Sequence, residues 1–434
     1  MQNSPHKIVI IGVFALIVGG YAFMAANYPL AYIWATYEDL IGEWAQTYFF
    51  LAATILSVLV ASRRTHYCWF FVVLALACGY VVLEEISWGQ RIFGFSTPEF
   101  LQSRNLQGEA NLHNLFTGPH KTFLKDIISI AVALGLFGYG LLYPLTVSLN
   151  WRFALWLDKI GVAPPPLVLW PFFTLAAVFE LKPLSFNEAE IAELLVAIGL
   201  AMAALHHWVV IRRGLPKTST NWSRNDSLVF GRWLIILSTT GIAIAGLITA
   251  AFYSVPSNKT RVNGRIERGI EKFAGRYERY DRCDIANDLY GRLLQKEPER
   301  VYLLRKMSVC YQQLGQSEMS EKTMATAIDI DLRSYSKNPW RASVNQSLVR
   351  SYRLAGNTDK ANAHLAIALE IGQARIEENP DSAKAAYSFG RTLRLAGRRA
   401  EAFEQFTRAY EMDRTSSKYR KTYYSARARY ASEI

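Results

Sequence analysis

The sequence lacks the short motifs that most often identify an enzyme. It has no Cys-x-x-Cys, no His-Glu-x-x-His, no glycine-rich phosphate-binding loop and no Gly-x-Ser-x-Gly. These absences remove the usual sequence signs of zinc hydrolases, nucleotide-binding enzymes and serine hydrolases. Catalytic activity is therefore left open, and a catalytic site would depend on carboxylates and histidines without a diagnostic spacing.

Charge is scarce in the first part of the chain and concentrated in the second. Residues 1–256 carry 15 Lys and Arg against 14 Asp and Glu, whereas residues 257–434 carry 33 against 22. Almost all of the net charge of +12 therefore belongs to the C-terminal part. We expect two domains, a transmembrane helix bundle over residues 1–256 and a soluble basic domain over residues 257–434.

In the first domain, apolar stretches recur at lengths near the roughly 20 residues that cross a bilayer. The fifth is short and follows three prolines at 164–166, so a core helix or a re-entrant segment is the alternative for it. No small-residue cleavage site follows the first, which is expected to stay as a membrane helix. The seven predicted spans are residues 8–26, 44–61, 67–83, 126–149, 167–179, 191–211 and 233–253.

The basic residues of the short loops set the expected orientation. Arginines and lysines follow the second, fourth and sixth spans, whereas residues 27–43 contain none and carry three acidic residues. Because basic loops stay in the cytoplasm, seven spans place the N-terminus inside and the C-terminal domain outside. For a bacterial protein this means a multi-pass inner-membrane location with a periplasmic C-terminal domain. Without a fifth crossing the last domain would be cytoplasmic.

A polar loop over residues 84–122 follows the third span and faces outward under this orientation. Glu84 and Glu85 end a run that carries no charge over residues 67–83. Ionisable groups there are costly, by about 2.5 to 3.5 kcal/mol for an Asp at a helix centre, and are functional hypotheses by default. Polar residues occupy every second position over 105–113, so an extended chain would place them on one side, whereas a helix would instead pair residues four apart.

Two interpretations of this loop remain open. In the first, it is the site of a hydrolase or transferase acting on lipid or lipid-linked glycan, with a general acid and base or a divalent metal. Its catalytic residues would be Glu84, Glu85, Glu109 and His113. In the second, the loop is a structural polar plug whose groups satisfy one another. The cluster also contains Trp88, Gln90, Arg91, Asn105, Gln107, Asn111 and Asn114. The run over residues 84–91 resembles a motif of bacterial multi-pass membrane proteins for which no function is assigned.

The second domain repeats with a period of 41 residues. A glycine and an alanine each recur three times at this spacing, at Gly315, Gly356 and Gly397 and at Ala327, Ala368 and Ala409. The last unit, with Phe389-Gly390, Ala402 and Phe406, best matches the tetratricopeptide repeat (TPR), which residues 267–414 resemble. The resemblance implies antiparallel helix pairs stacked into an α-solenoid. Two units exceed the usual repeat of about 34 residues, so we expect their second helices to be longer by two turns.

The resemblance also implies a concave groove lined by the first helix of each pair. Arg350 and Arg391 are equivalent positions of neighbouring units, and so are Arg353 and Arg394. Guanidinium groups bind carboxylate or phosphate bidentately, so the groove is expected to take an anionic protein or polymer. A solvated basic face without a ligand is the alternative. The predicted partner-binding residues are Arg305, Gln346, Arg350, Arg353, Lys384, Tyr387, Arg391 and Arg394.

The chain has four cysteines. Cys68 and Cys78 lie in an apolar span and are expected to be small buried side chains. Cys283 and Cys310 lie on either side of a predicted helix turn at Pro298, so they would face each other. In an oxidising periplasm they would form a disulfide, and two free thiols on adjacent helices are the alternative.

Together these features favour a binding protein over an enzyme. We expect an all-α fold, with a transmembrane bundle of about seven helices followed by a TPR-like α-solenoid that recruits an anionic partner in envelope or surface-polymer assembly. Membrane lipid would surround the bundle, and a membrane complex or a homo-oligomer is compatible with it. Nucleic acid is not expected for a periplasmic domain, although the basic charge alone would allow it.

Overall fold

The computed structural model describes residues 5–37, 39–90, 123–214 and 224–430, and that part of the chain is helical with no strand in it. The all-α fold class is therefore confirmed. The chain divides into two compact units, Met1–Gly269 and Ile270–Ile434. The domain boundary that charge predicts after residue 256 stays a prediction, because a continuous helix, Pro256–Arg279, includes the point where the units divide.

The first unit contains long apolar helices, shorter helices and, at its end, a polar helix that continues into the second unit. Within its described residues they are α1 (Pro5–Asn27), α2 (Pro29–Thr36), α3 (Ile41–Ala61), α4 (Cys68–Glu85), α5 (Phe123–Phe137), α6 (Tyr143–Ser148), α7 (Arg152–Lys159), α8 (Trp170–Glu180), α9 (Glu188–Arg213), α10 (Arg224–Ser254) and α11 (Pro256–Arg279). Short 3₁₀ turns cover Ser87–Gly89 and Leu167–Leu169, and a π-helical turn, Gly138–Leu142, joins α5 to α6.

Six helical stretches of the described residues are long and apolar enough to cross a membrane. They are Lys7–Asn27, Pro29–Ala61, Cys68–Glu85, Asp126–Ser148, Glu188–Arg213 and Ser227–Ser254. The fifth predicted span is the shorter apolar stretch Leu167–Glu180. Its helix rises about 21 Å at 1.5 Å per residue, less than the roughly 30 Å of a hydrocarbon core.

Helix α3 forms the centre of this unit and packs against α4, α9 and α10. Small side chains let α3 and α9 approach closely, because Ala53 on α3 and Ala197 and Ala201 on α9 are fully buried. Helix α8 packs between α5 and α9. There Phe173 fills the space left by Gly140, where an added Cβ would lie 2.1 Å from the Cβ of Phe173. The apolar runs of the sequence thus form a closely packed bundle.

The second unit is a stack of antiparallel helix pairs. After the end of α11 come α12 (Cys283–Lys296), α13 (Val301–Gln313), α14 (Ser317–Lys337), α15 (Ala342–Leu354), α16 (Thr358–Glu378), α17 (Ala383–Leu395), α18 (Arg399–Met412) and α19 (Ser417–Tyr430). Helices α14 and α16 have 21 residues each, whereas α12 and α18 have 14. The prediction of second helices longer by two turns is confirmed.

The recurrent small residues have the roles that the repeat requires. Gly315, Gly356 and Gly397 end the first helix of each pair with φ between +73° and +78°, a conformation that glycine adopts without strain. Ala327, Ala368 and Ala409 are fully buried where the paired helices meet. Between α12 and α13, Cys283 and Cys310 form a disulfide with their Cα atoms 5.0 Å apart.

Candidate functional site

A cluster of arginines occupies the first-helix layer of the repeat unit. Arg350 lies on α15 and Arg391 and Arg394 lie on α17, the equivalent helix of the next pair. Arg350 is half-buried, and its Nη1 donates to the carbonyl oxygen of Gln346 at 3.4 Å. Arg391 is half-buried and Arg394 is exposed, with its guanidinium 5.8 Å from the ring centre of Phe406.

The pKa of Arg350 shows that the neighbouring guanidinium groups repel one another. Burial, followed by the positive charges of Arg391, Arg305 and Arg394, lowers the pKa of Arg350 to about 10. The carboxylate of Asp331 offsets part of this effect. At neutral pH Arg350 therefore stays charged among other guanidinium groups, and the cluster has a surplus of positive charge. An anion would relieve that repulsion.

Arg305 lies beside this cluster, but its side chain serves the packing of the repeats. Its Nη1 donates to the hydroxyls of Ser347 at 2.8 Å and Ser351 at 3.1 Å, and it lies 3.6 Å from Oδ2 of Asp331. The hydroxyl of Ser351 also donates to Asp331 at 3.0 Å. Burial lowers the pKa of Arg305 and raises that of Asp331. Arg305 is thus the buried half of an ion pair that joins α13, α14 and α15.

Gln346 repeats this arrangement one pair later. Its Nε2 donates to the hydroxyl of Thr392 at 2.8 Å and to the carbonyl of Ser388 at 3.2 Å. Its side chain is buried, and so is that of Arg305. Both predicted groove residues therefore turn toward the next first helix and offer little surface to a ligand. They are not part of the candidate ligand surface.

The remaining predicted groove residues are accessible to different degrees. Arg353 is exposed and donates to the carbonyl of Leu395 at 2.8 Å. Lys384 is exposed on α17. Tyr387 is half-buried, with its ring centre 5.1 Å from that of Tyr419 and the ammonium of Lys418 at 4.3 Å over its face. Lys384, Arg391 and Arg394 thus follow one another along α17 as accessible cations.

The sequence contains a pattern that indicates the burial of Arg305 and Gln346, and the groove prediction does not use it. Arg305 bonds residues 42 and 46 positions later, Ser347 and Ser351. Gln346 bonds residues at the same two offsets, Ser388 and Thr392. A long polar residue with hydroxyl-bearing partners at fixed offsets indicates bonding between units. Asp331 gives no such signal, because a glycine stands 41 residues later, at the equivalent position of the next unit.

A second polar cluster lies in the helical bundle of the first unit. Gln46 on α3 is buried, and its Nε2 donates to Oε2 of Glu193 on α9 at 2.7 Å and to Oε1 of Glu85 at 3.1 Å. One amide thus joins two carboxylates from two other helices. The candidate site predicted from sequence includes Glu85 but neither Gln46 nor Glu193, because three separate, mainly apolar helices supply the three groups.

The start of the predicted polar loop has a defined local structure. Trp88 donates from its indole Nε1 to Oε1 of the buried Glu84 at 2.6 Å. Ser87 and Trp88 both have φ near +50°, a backbone conformation that is costly for residues with a Cβ. Glu84 therefore fixes a tight turn at the end of α4, which is a structural role. Gln90 is the last residue described before the gap.

Most of the predicted loop cluster lies outside the described residues. This applies to Arg91, Asn105, Gln107, Glu109, Asn111, His113 and Asn114. In the part of the chain that the structure describes, no group of three or more His, Cys, Asp or Glu side chains is placed to hold a metal ion. The metal and the hydrolase or transferase chemistry proposed for Glu84, Glu85, Glu109 and His113 therefore stay predictions.

One buried charge near the same end of the bundle was not expected. Asp39 is fully buried. Its Oδ2 accepts a hydrogen bond from Nη1 of Arg265 on α11 and lies 3.4 Å from Nη2 of Arg261. The ring of Tyr37 packs against Gly269, where a Cβ would lie 2.7 Å from it. Two arginines spaced by one helical turn thus bind the first part of α11 to the loop before α3.

Comparison with known proteins supports the repeat assignment. The tetratricopeptide-repeat family model matches residues 348–415, from α15 into the segment after α18. Two solved structures resemble this chain at low identity. A thermophilic TPR protein of Thermus thermophilus is 21% identical, with 45% of this chain and 95% of that one covered and a TM-score of 0.23. MamA is 21% identical, with 33% and 96% covered and a TM-score of 0.16. A search of curated proteins gave no match.

Proposed function

We propose that the tetratricopeptide-repeat domain in the C-terminal part of the chain is the recognition module of a membrane-anchored adaptor and binds an anionic partner. TPR domains are scaffolds for protein–protein interaction, and the family match covers residues 348–415. The observation that carries the choice of partner is the clustering of Arg350 with Arg391 and Arg394, whose positive charges add to burial in lowering the pKa of Arg350 to about 10. We propose an envelope or surface-polymer assembly pathway as the setting.

An acidic partner fits the chemistry of this surface. Guanidinium groups bind carboxylates and phosphates with two parallel hydrogen bonds, and such charge-assisted bonds are stronger than neutral ones. Arg391 and Lys384 are seven residues apart on α17, so they share one face of the helix. A segment with several acidic groups could therefore contact α15 and α17 together.

The six long apolar stretches found among the described residues of the first unit support membrane anchoring. The fifth apolar stretch, Leu167–Glu180, is too short to cross a membrane alone, but it becomes long enough when residues 162–166 are counted with it. These residues are not helical, and at up to about 3.3 Å per residue they add roughly 16 Å to the 21 Å of the helix. Together the two segments are long enough for a hydrocarbon core of about 30 Å.

The backbone of residues 162–166 is suited to the interior of a membrane protein. Non-helical backbone is tolerated at membrane depth only where protein groups satisfy it. Tyr143 donates to the carbonyl of Val162 at 2.7 Å, and Nε2 of His207 lies 3.0 Å from the carbonyl oxygen of Pro164. The three prolines at 164–166 have no N–H group that needs a partner. These contacts favour seven crossings, and with them a periplasmic repeat domain.

Photocrosslinking tests the binding surface. A benzophenone amino acid in place of Lys384, in the full chain expressed in a bacterial cell, is expected to trap an acidic partner in one discrete product. The matched control carries the same group in place of Lys322, an exposed residue of α14, which is the second helix of its pair. The same product from both positions, or none from position 384, would contradict a partner bound to the first-helix layer.

The compartment is tested by a reporter fused after Ile434. We expect activity from a reporter that folds only in the periplasm and none from a cytoplasm-only reporter at the same position. The Cys283–Cys310 disulfide agrees with this expectation, because such bonds persist in oxidising compartments. Activity of the cytoplasmic reporter alone would mean an even number of crossings and would move the search for partners to the cytoplasm.

A further inference from the structure

A cavity of about 430 Å³ opens at the end of the first unit where α9 stops and α10 begins. Two tryptophans and two arginines line it together with apolar side chains. Among the described residues, those that line it are Trp208, Val209, Arg212, Arg213, Val229 and Trp233. None of them belongs to the described start of the polar loop, residues 84–90. The cavity therefore needs an explanation of its own.

The aromatic and basic groups of the cavity are arranged around one another. The rings of Trp208 and Trp233 meet edge to face with their centres 5.7 Å apart. The guanidinium carbon of Arg212 lies 5.0 Å from the ring centre of Trp208, close enough for a cation–π contact. This contact holds the Arg212 side chain along the wall of the cavity. Trp233 is 42% exposed, so its indole is accessible beside that of Trp208.

The two arginines of the cavity have no acidic partner among the described residues. Across the residues that the structure describes, neither Arg212 nor Arg213 forms an ion pair with Asp or Glu. The helix dipole at the end of α9 favours the two arginines there. That contribution explains why cations are tolerated at this helix end, but it does not explain a cavity lined by both of them and two indoles.

We infer that this cavity binds the phosphate headgroup of an anionic phospholipid from the adjoining membrane leaflet. The inference rests on the membrane anchoring proposed above. Tryptophan and arginine at the end of a membrane helix lie at the level of the headgroups, and basic pockets between membrane helices bind anionic headgroups. Arg212 and Arg213 contact the phosphate, the indoles contact the glycerol region, and Val209 and Val229 contact the start of an acyl chain.

Lipid titration of the full chain purified in a neutral detergent tests this assignment. Dioctanoyl phosphatidylglycerol, dioctanoyl phosphatidylcholine and glycerol phosphate are added separately, and bound molecules are counted by native mass spectrometry. We expect phosphatidylglycerol to bind at least about tenfold more tightly than phosphatidylcholine, since each of the two basic residues near a lipid surface contributes about a factor of five. Glycerol phosphate, which has the charge but no acyl chains, is expected to bind much more weakly.

The double variant Arg212→Gln/Arg213→Gln is expected to lose phosphatidylglycerol affinity by on the order of 30-fold. Its matched control is Arg63→Gln/Arg64→Gln, which removes the same charge from another exposed pair that follows a membrane span. An equal loss in both variants would show general attraction to anionic lipid and overturn the site. Equal affinity of the wild-type chain for both lipids would overturn it without any variant.

Two further outcomes separate this inference from the proposals on which it rests. Glycerol phosphate binding as tightly as the lipid would assign the cavity to a soluble phosphate compound and overturn the lipid assignment. Retention of the chain in alkaline-washed membranes is measured in parallel. A chain that is retained but shows no lipid preference overturns the headgroup site alone, whereas a chain that is released overturns the anchoring and the headgroup site with it.

Discussion

Replacing Arg305 with methionine is expected to lower the free energy of unfolding of the repeat unit by about 3 to 5 kcal/mol. The substitution leaves the carboxylate of Asp331 buried without its cation, and side-chain exposure at that site is only 6%. It also removes the donor that serves the hydroxyls of Ser347 and Ser351. Breaking one side of a buried ion pair is among the most costly single changes in a protein core.

The double variant Arg305→Met/Asp331→Leu is expected to be closer to the wild-type stability than either single variant. Burial disfavours the charged form of each group, so it lowers the pKa of Arg305 and raises the pKa of Asp331. The intact pair therefore offsets a desolvation cost that two apolar side chains would not have. Hydrogen exchange of amides in α13, α14 and α15, measured in the full chain, gives the opening free energy of this region.

The pH dependence of the single variant provides an internal check. Because the pKa of Asp331 is raised in the folded state, the folded chain binds a proton more tightly than the unfolded one, and stability falls as pH rises above the unfolded value of about 3.9. Loss of Arg305 raises that pKa further. We therefore expect Arg305→Met to lose less unfolding free energy, relative to the wild-type chain, at acid pH than at neutral pH. Two results together would show that the ion pair contributes nothing to stability. The loss of unfolding free energy in Arg305→Met would be independent of pH, and the loss in the double variant would equal the sum of the losses in the two single variants.

The repeat architecture was predictable because helix packing restricts which residues can recur. A step of 41 residues fixed the positions of Gly356 and Gly397, and only a residue that tolerates positive φ can end each first helix there. The extra length of α14 and α16 followed from the spacing alone. Such features depend on neighbours in sequence, so one chain is enough to reveal them.

The direction of individual groove side chains was harder to predict. Position 305 and its equivalent 346 lie on first helices, yet both side chains point at the next first helix and are buried. Arg350 and Arg391 also lie on first helices, but both are only half-buried. The sequence places a residue on a helix, whereas the rotation of that helix against its neighbours decides whether a polar side chain meets solvent or another unit.

The polar groups of the bundle show the same limit. Glu85 was expected in an outward-facing loop, whereas its described partner is Gln46 of α3, 39 residues earlier. Glu193, 147 residues after Gln46, completes the group. Each residue lies in a different, mainly apolar helix, so no local pattern connects them. Only the packing of α3, α4 and α9 brings the amide and the two carboxylates together.

The double substitution Arg350→Gln/Arg391→Gln is expected to weaken binding of an acidic ligand by on the order of 100-fold or more, because two hydrogen bonds to charged groups at about 1.5 to 3 kcal/mol each are lost. A fluorescent oligoglutamate peptide serves as the probe, with the full chain in detergent and binding followed by anisotropy. The matched control is Lys322→Gln/Lys337→Gln, which removes the same charge from exposed positions of α14. That control is expected to change the affinity only slightly.

Stability and binding are expected to move in opposite directions in the arginine variant. Burial and the positive charges of Arg391, Arg305 and Arg394 disfavour the charged form of Arg350. Replacing both Arg350 and Arg391 removes this desolvation cost and this repulsion, so we expect the repeat unit to be as stable as before or more stable. A functional surface commonly keeps such a cost because the ligand offsets it. On a merely solvated basic face, the arginine and lysine variants would lose affinity for the peptide to the same extent, because each removes two charges. Equal loss of peptide affinity in the arginine and lysine variants would therefore contradict a specific anion site.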